Sequence, residues 1–301
     1  MEKMNRVSFL VLIVFFTCSL TCCARKVVYV SSSTGNDVNF GESIDSPVKT
    51  INKALALGDS ILLKRGDTFY ENLYLKRKYL GAYGKGEKPI LSGYKRIIKP
   101  KWESVKSNIW RICLADEYFS GFDTKGSSLL NNIGCIHDLS NDSIHGNRKQ
   151  FLNELKENWD LWQTEKFKKE DVKASDYDTL YIYLQRNPNE MNLEVSVGVP
   201  AISMFKSHLN NIAVIGWGFG IAPRNNCSVK HCVIDAIGGM LAIGSFEFIP
   251  YCNGIEFWVS GENCNSIVEY NTISRYFDCG VTIQGRITSE DLCPKNIVFS
   301  E

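Results

Sequence analysis

The sequence predicts an all-β fold, a parallel β-helix of stacked coils, and three observations carry that prediction. Gly254-Ile255-Glu256-Phe257-Trp258 and Gly280-Val281-Thr282-Ile283-Gln284 match position for position, 26 residues apart. The strand-like segments around them are short, alternate in character and are closed by Gly, Asn or Asp. A strand, loop, helix and strand stand at the front, where a coil stack needs its open edge covered. A repeat in the range of roughly 20–50 residues indicates stacked units rather than one closed sheet. Chance likeness between the strands of a β-sandwich is the competing reading.

The chain opens with Lys3 and Arg6, an apolar run from Val7 to Phe16 and a small-residue exit through Thr17, Ser19 and Thr21. That is a positive region, an apolar stretch too short to span a bilayer and a cleavage zone, so residues 1–22 are expected to be a secretory signal. Leu20-Thr21-Cys22-Cys23 also resembles a bacterial lipoprotein box with Cys23 as the acylated residue; plain signal cleavage is the alternative. Residues 23–301 are expected to form one domain, exported to the periplasm or held at the outer membrane of a bacterium by the lipid alone. Past the leader, 32 basic residues face 32 acidic ones, with no run of like charge, which argues against a nucleic-acid partner.

Val27 to Val30 reads as the first strand and Ser31 to Gly41 as a turn-rich loop, where Asp37 serves turn chemistry or a cation. Asp45-Ser46 offers a helix N-cap and Pro47 a first helical position; Val48, Ile51, Ala54 and Leu55 share a face, and Gly58 ends the helix. Gly58 to Leu63 is the next strand. Short strands broken by Gly81, Gly84, Gly86 and Gly93 continue to Ile98. From about 101 to 190 the periodicity fails, and this stretch is read as an insertion on the stack. Within it, Phe151, Leu152, Leu155, Trp159 and Trp162 keep helical spacing, and Thr179 to Leu184 alternates as a strand. Its aromatics suit a core or a sugar-binding face.

From Leu193 the stack resumes. With Ile255 and Phe257 inward, Val281 and Ile283 follow, and Glu256, Trp258, Thr282 and Gln284 face outward. Gly220-Ile221 fits one coil earlier, 34 residues before Gly254, if Met240 to Cys252 is an inserted loop. A second series begins at Asn211, Asn226, Asn265 and Asn296, and predicts Val214, Val229, Val268 and Phe299 in one inward stack. The last segment, Asn296 to Glu301, opens another coil, so the chain is expected to continue. Eight cysteines follow Cys23. Export permits disulfides, Cys252 with Cys264 or Cys279 among them, but buried free thiols are the favoured reading.

Asn253 to Trp258 and Tyr276 to Gln284 carry a resemblance to a known family. The chain resembles the right-handed parallel β-helix proteins of the pectate-lyase-like superfamily. More narrowly it is similar to a bacterial subgroup with an Asn-Gly-Ile-Glu-Phe-Trp segment and a Tyr-Asp-Ala-Ala/Gly-x-Thr-x-Gln segment. Here Phe277 is an extra residue before Asp278, and Cys279 stands where Ala is usual. The resemblance implies this fold, with an N-terminal capping helix. It does not single out one reaction, because the fold hosts lyases, hydrolases, epimerases and binding proteins.

Uronate elimination needs a base and a cation on the carboxylate; glycoside hydrolysis needs two carboxylates across the scissile bond. The candidate catalytic residues are Glu256, Asp278 and Arg275, with Trp258, Gln284 and His231 as sugar contacts and Asp235 as a further outward acid. Each has a plainer role open to it: Glu256 paired with Arg275 or Arg286, Asp278 capping its turn, His231 solvated. The Asp-Asp and Gly-His-Gly motifs of polygalacturonases are absent, and no metal site is assigned; calcium is compatible with this chemistry, but no ligand pattern for it is present. The expectation is an exported polysaccharide lyase or glycoside hydrolase, with a non-catalytic glycan-binding or adhesive β-helix as the alternative.

Overall fold

The structure, a computed structural model, describes residues 25–97, 101–114, 131–244, 247–259, 264–285 and 295–300. The stretch expected to be a leader, with Cys23, lies outside them, as do Arg286 and Cys293. Among the described residues no helix is long and apolar enough to cross a membrane.

The chain is all-β in class, and its main sheets are parallel. Seven strands form the first face: Val27–Val30, Ser60–Lys64, Tyr79–Tyr83, His208–Asn210, Ser228–Lys230, Cys264–Glu269 and Lys295–Ser300. The second face takes Thr68–Phe69, Ile90–Ser92, Ala213–Ile215, Val233–Ile237 and Thr272–Tyr276. The third takes Leu73–Lys76, Leu193–Phe205, Trp217–Arg224, Ile255–Val259 and Val281–Gly285. From His208 onward the chain visits first, second and third face in that order, three times over.

Alternation puts one row of each face inside. On the first face the row is Val28, Ile61, Leu80, Leu209, Val229 and Val268, all buried. On the third, Leu73, Ile202, Ile221 and Ile255 are buried and Val281 is half-buried. The expected pairs Ile221 with Ile255, Ile255 with Val281 and Phe257 with Ile283 are present, but Ile283, expected inward, is 44% exposed on the last strand of this face among the described residues. Val214 breaks the expected series. It lies on the second face beside Leu91 and Ile234, and Leu209 takes its place in the row with Val229 and Val268. The reason lies in the corners. Asn211 and Asn226 both have positive φ, but at different bends of the chain.

Those bends form columns. Arg77, Lys206, Asn226 and Asn265 turn the chain into the first face with φ of 49 to 56. Asn211, His231 and Tyr270 turn it into the second, and Gly216, Ala236 and Arg275 toward the third. A left-handed residue reverses the local sense of the strand and lets the chain swing to the next sheet. Asn and Gly adopt it readily; other side chains do so against a steric cost that the surrounding packing must offset.

The helix is shorter than expected. It spans Ile51–Leu57, with Thr50 as N-cap and Gly58 as C-cap. Val48 instead bridges to Val30, which takes Pro47 out of the helix. Thr50 wins because it is braced: Asp37 accepts from its amide, its hydroxyl and the Lys49 amide, while Glu71 accepts from the Ile51 and Asn52 amides. Asp37 therefore anchors the loop to the helix start. Burial alone would raise its carboxyl; the bonds from Thr50 and Lys49 hold it below the usual range.

Between the second-face strand Ile90–Ser92 and Leu193–Phe205 the chain leaves the three faces. Within that stretch the described residues include a five-stranded sheet in the order Asn147–Arg148, Asp160–Trp162, Thr179–Tyr183, Ile109–Cys113, Glu103–Lys106. The helix expected over Phe151 to Trp162 is not formed: a single 3-10 turn covers Leu152–Glu154, and Asp160–Trp162 is a strand. Asp160 is fully buried and accepts the Lys156 and Glu157 amides, closing a turn in which Trp159, just before it, has φ 73. A carboxylate that caps local amides competes with helix. The hairpin Ile136–Asp138 and Ser143–His145 then pairs with the first half of Leu193–Phe205.

Candidate functional site

The hairpin rests on the corner that leads from the second face to the third. Contact there is backbone on backbone. A Cβ on Gly134 would sit 2.0 Å from the Gly238 carbonyl oxygen, and one on Gly239 would sit 2.5 Å from that of Gly134. Only glycine allows this approach. Beside the contact opens a cleft of about 440 Å³, lined by Cys135, Asp142, His145, Arg275, Tyr276 and Phe277 among others. That volume falls within the roughly 300–1,000 Å³ of small-ligand sites. Tyr276 and Phe277 keep 44% and 49% of their surface exposed, an apolar face left open to whatever enters.

One wall is set by charge. Asp235, 8% exposed, accepts from Arg275 Nε at 2.9 Å and from Nη2, and also from Ser274 Oγ at 3.0 Å. Burial alone would raise the Asp235 carboxyl; the bonds from Arg275 and Ser274 hold it below the usual range. Arg275 Nη1 reaches the Asp142 carbonyl at 3.4 Å, joining corner to hairpin. On the hairpin side, Asp142 contacts His137 Nε2 at 2.9 Å. His145 is stacked flat on Trp159 at 3.9 Å, and burial pushes its imidazole below the usual range.

Next to this corner lies the Asn253 segment. Asn253 is fully buried; its Nδ2 donates to Glu256 at 2.6 Å and its Oδ1 accepts from the Cys279 amide at 3.0 Å. Cys252, also buried, is held at φ 135, and its carbonyl accepts from the Asp278 amide at 3.3 Å. Side chains rarely adopt that backbone, so the strain is held by the surrounding contacts. The loop expected over Met240 to Cys252 is a small hairpin, Met240–Leu241 against Pro250–Tyr251. Its Leu241 is clamped by the buried Asn132, which both donates to and accepts from the Leu241 backbone.

Glu256 lies on the outer side of its strand as expected, beside Thr282, but only 6% of it is exposed. Its partner is Asn253; Arg275 is taken by Asp235. Burial raises the Glu256 carboxyl above the usual range, the Asn253 bond opposes that, and the charge of Asp278 adds to it. Asp278 itself is exposed and directly follows the cleft residue Phe277. Gln284 is half-buried, does not line the cleft and is paired in register with Trp258, whose side chain lies outside what the structure describes. His231 lies at a different corner, stacked on Tyr270 at 5.1 Å, and is not part of the cleft. Sequence reasoning missed Asp142, His145 and the clamping role of Asn253. The one available signal was Phe277, the extra aromatic before Asp278. Among the described residues no cluster of three or more His, Cys, Asp or Glu forms a metal site. Cys113, Cys135, Cys227, Cys232, Cys252 and Cys279 are free thiols, so Cys252 and Cys279 do not bridge.

No protein-family model and no curated protein matches the chain. Among solved structures it is similar to "The complex structure of XylC with xylose", at 15% identity and a TM-score of 0.47, over 86% of this chain and 60% of that one. It is also similar to the GH136 lacto-N-biosidase from Eubacterium ramulus, at 16% identity and a TM-score of 0.34, over 83% of this chain and 34% of that one. The chain thus spans less than two thirds of either, and likeness at this level carries no statement about substrate.

The raised Glu256 carboxyl has a consequence for stability. A group whose folded pKa is raised favours the fold below its unfolded pKa, and that contribution is lost as pH rises through the folded value. Glu256→Gln keeps an oxygen for the Asn253 amide and removes the buried charge. Thermal melts should therefore place this variant above the parent at pH 7, with the gap closing near pH 4; equal gaps at both would show that Glu256 has an ordinary pKa.

Proposed function

We propose that the chain is a right-handed parallel β-helix with Ile51–Leu57 as its cap and residues 101–190 as an insertion, related to the pectate-lyase-like proteins. In this reading it binds a glycan in the corner cleft and hydrolyses it. The observation that carries the reading is the contrast between two neighbouring carboxyls beside the cleft. Glu256 is buried and raised, while Asp278 is exposed and contributes to raising it. Environments that separate two carboxyls in this way suit an acid and a base. Glu256 gives its proton to the glycosidic oxygen as the bond to the anomeric carbon breaks. Water attacks that carbon and passes a proton to Asp278. Arg275 serves as a fixed part of the wall, and Trp258 and Gln284 are retained as further sugar contacts. Elimination is the weaker option, because the Arg275 guanidinium is already engaged by Asp235.

The bond between Glu256 and Asn253 favours a second reading, in which Glu256 is structural and the cleft only binds. Screening the full chain on neutral and uronate-containing glycans separates the two. Hydrolysis, with kcat falling by roughly 10²-fold or more in Glu256→Gln and Asp278→Asn, is the expected result. Parental turnover in both variants would reject the assignment, and binding without turnover would favour the second reading.

Export and a lipid anchor at Cys23 belong to the same proposal, motivated by the leader sequence. Metabolic labelling with palmitate in a bacterial host should mark the parent and leave Cys23→Ser unmarked. Equal labelling would discard that site.

A further inference from the structure

We infer that the corner cleft accepts an uncharged sugar ring and rejects uronates; this rests on the cleft being the glycan site. The charged side chains lining it, among the described residues, are Asp142 and Arg275. Recognition of a uronate carboxylate needs a cation with free donors, best as a two-pronged guanidinium. Arg275 cannot supply that fork. Its Nε and Nη2 are committed to Asp235, and Nη1 points to the Asp142 carbonyl. Arg275 is shared between Asp235 and, at 3.9 Å, Asp142, so one cation faces two carboxylates. Asp142 also contacts His137 but is 76% exposed at its side chain, and Asp278 stands beside Phe277, which leaves the balance negative. Asp142 and Asp278 would both repel a bound carboxylate. Like charges a few ångströms apart repel, more strongly at the edge of a cleft than in bulk water. Specificity is as much the penalty on the wrong ligand as the gain on the right one.

The rest of the lining suits a neutral ring. Tyr276 and Phe277 present an open apolar surface for the C–H face of a sugar. Gly134, Gly146, Gly238 and Gly239 add backbone without side chains to the lining, which leaves peptide groups within reach of sugar hydroxyls. The exposed Asp142 carboxylate offers acceptors for hydroxyls, and the half-buried His145 ring and Ser143 hydroxyl, bonded to each other at 2.7 Å, lie in the same lining.

The test is a binding array of the full chain and Phe277→Ala against three sets of hexasaccharides: neutral xylan, glucan, mannan and galactan fragments, N-acetylated chitin fragments, and galacturonate and glucuronate fragments. Binding confined to the uncharged sets, weakened about tenfold by Phe277→Ala, is the expected result. Asp142→Asn should then improve the residual uronate binding severalfold. Uronates that bind as tightly as neutral fragments, and lose affinity in Phe277→Ala, would overturn this inference while leaving the cleft as the site. Binding unchanged in Phe277→Ala, or absent throughout, would overturn the cleft reading and this inference with it.

Discussion

The side chain of Asn253 is the interaction on which the candidate site depends. It is buried out of reach of water, and both ends of its amide are used: the oxygen takes the Cys279 amide from the next winding of the chain, and the nitrogen holds Glu256. A buried polar group left without its partner costs about 1–3 kcal/mol, so this residue fixes two things at once. It fixes the spacing between the strand that carries Glu256 and the segment that carries Asp278. It also fixes where the Glu256 carboxyl points. The Ile255 to Val281 register follows the same tie, since it begins two residues beyond each anchor.

The corner beside it shows how a repetitive fold makes one place unlike the others. Three columns of left-handed residues bend the chain, yet a cleft forms where the hairpin at 136–145 meets the column of Gly216, Ala236 and Arg275. The contact is possible because glycines face one another there, and it is held by the Arg275 bridge between Asp235 and Asp142. The part-buried ion pair is weak grounds for stability, because solvent screens Arg275 and desolvation of Asp235 offsets much of the attraction. Its effect is geometric: it fixes the wall and removes a cation from what a ligand can use.

Much of the fold was legible because strands alternate. A period of two, repeated at matching positions, led to Ile221, Ile255 and Val281 in register. The Asn series misled because Asn suits any left-handed bend, so Asn211 and Asn226 share chemistry without sharing a corner. The helix start was misplaced since Thr50 is chosen by Asp37 and Glu71, and Glu71 comes from a later segment. The apolar spacing over Phe151 to Trp162 was real, but Asp160 folded those residues into a turn and strand. At the site, alternation put Glu256 on the outer side but could not reveal that it is covered. Arg275 and Asp235 are 40 residues apart, and Gly134 and Gly238 over a hundred; no local pattern announces such pairs.

The central claim is that Glu256 is a buried carboxyl held protonatable by its burial and by the charge of Asp278. The most direct measurement is a carbon-detected NMR titration of the Glu256 side-chain carboxyl in the parent and in Asp278→Asn. The account predicts a pKa above the ordinary glutamate range in the parent, moving down in the variant. A Glu256 that titrates at the ordinary value and does not respond to Asp278→Asn would contradict it.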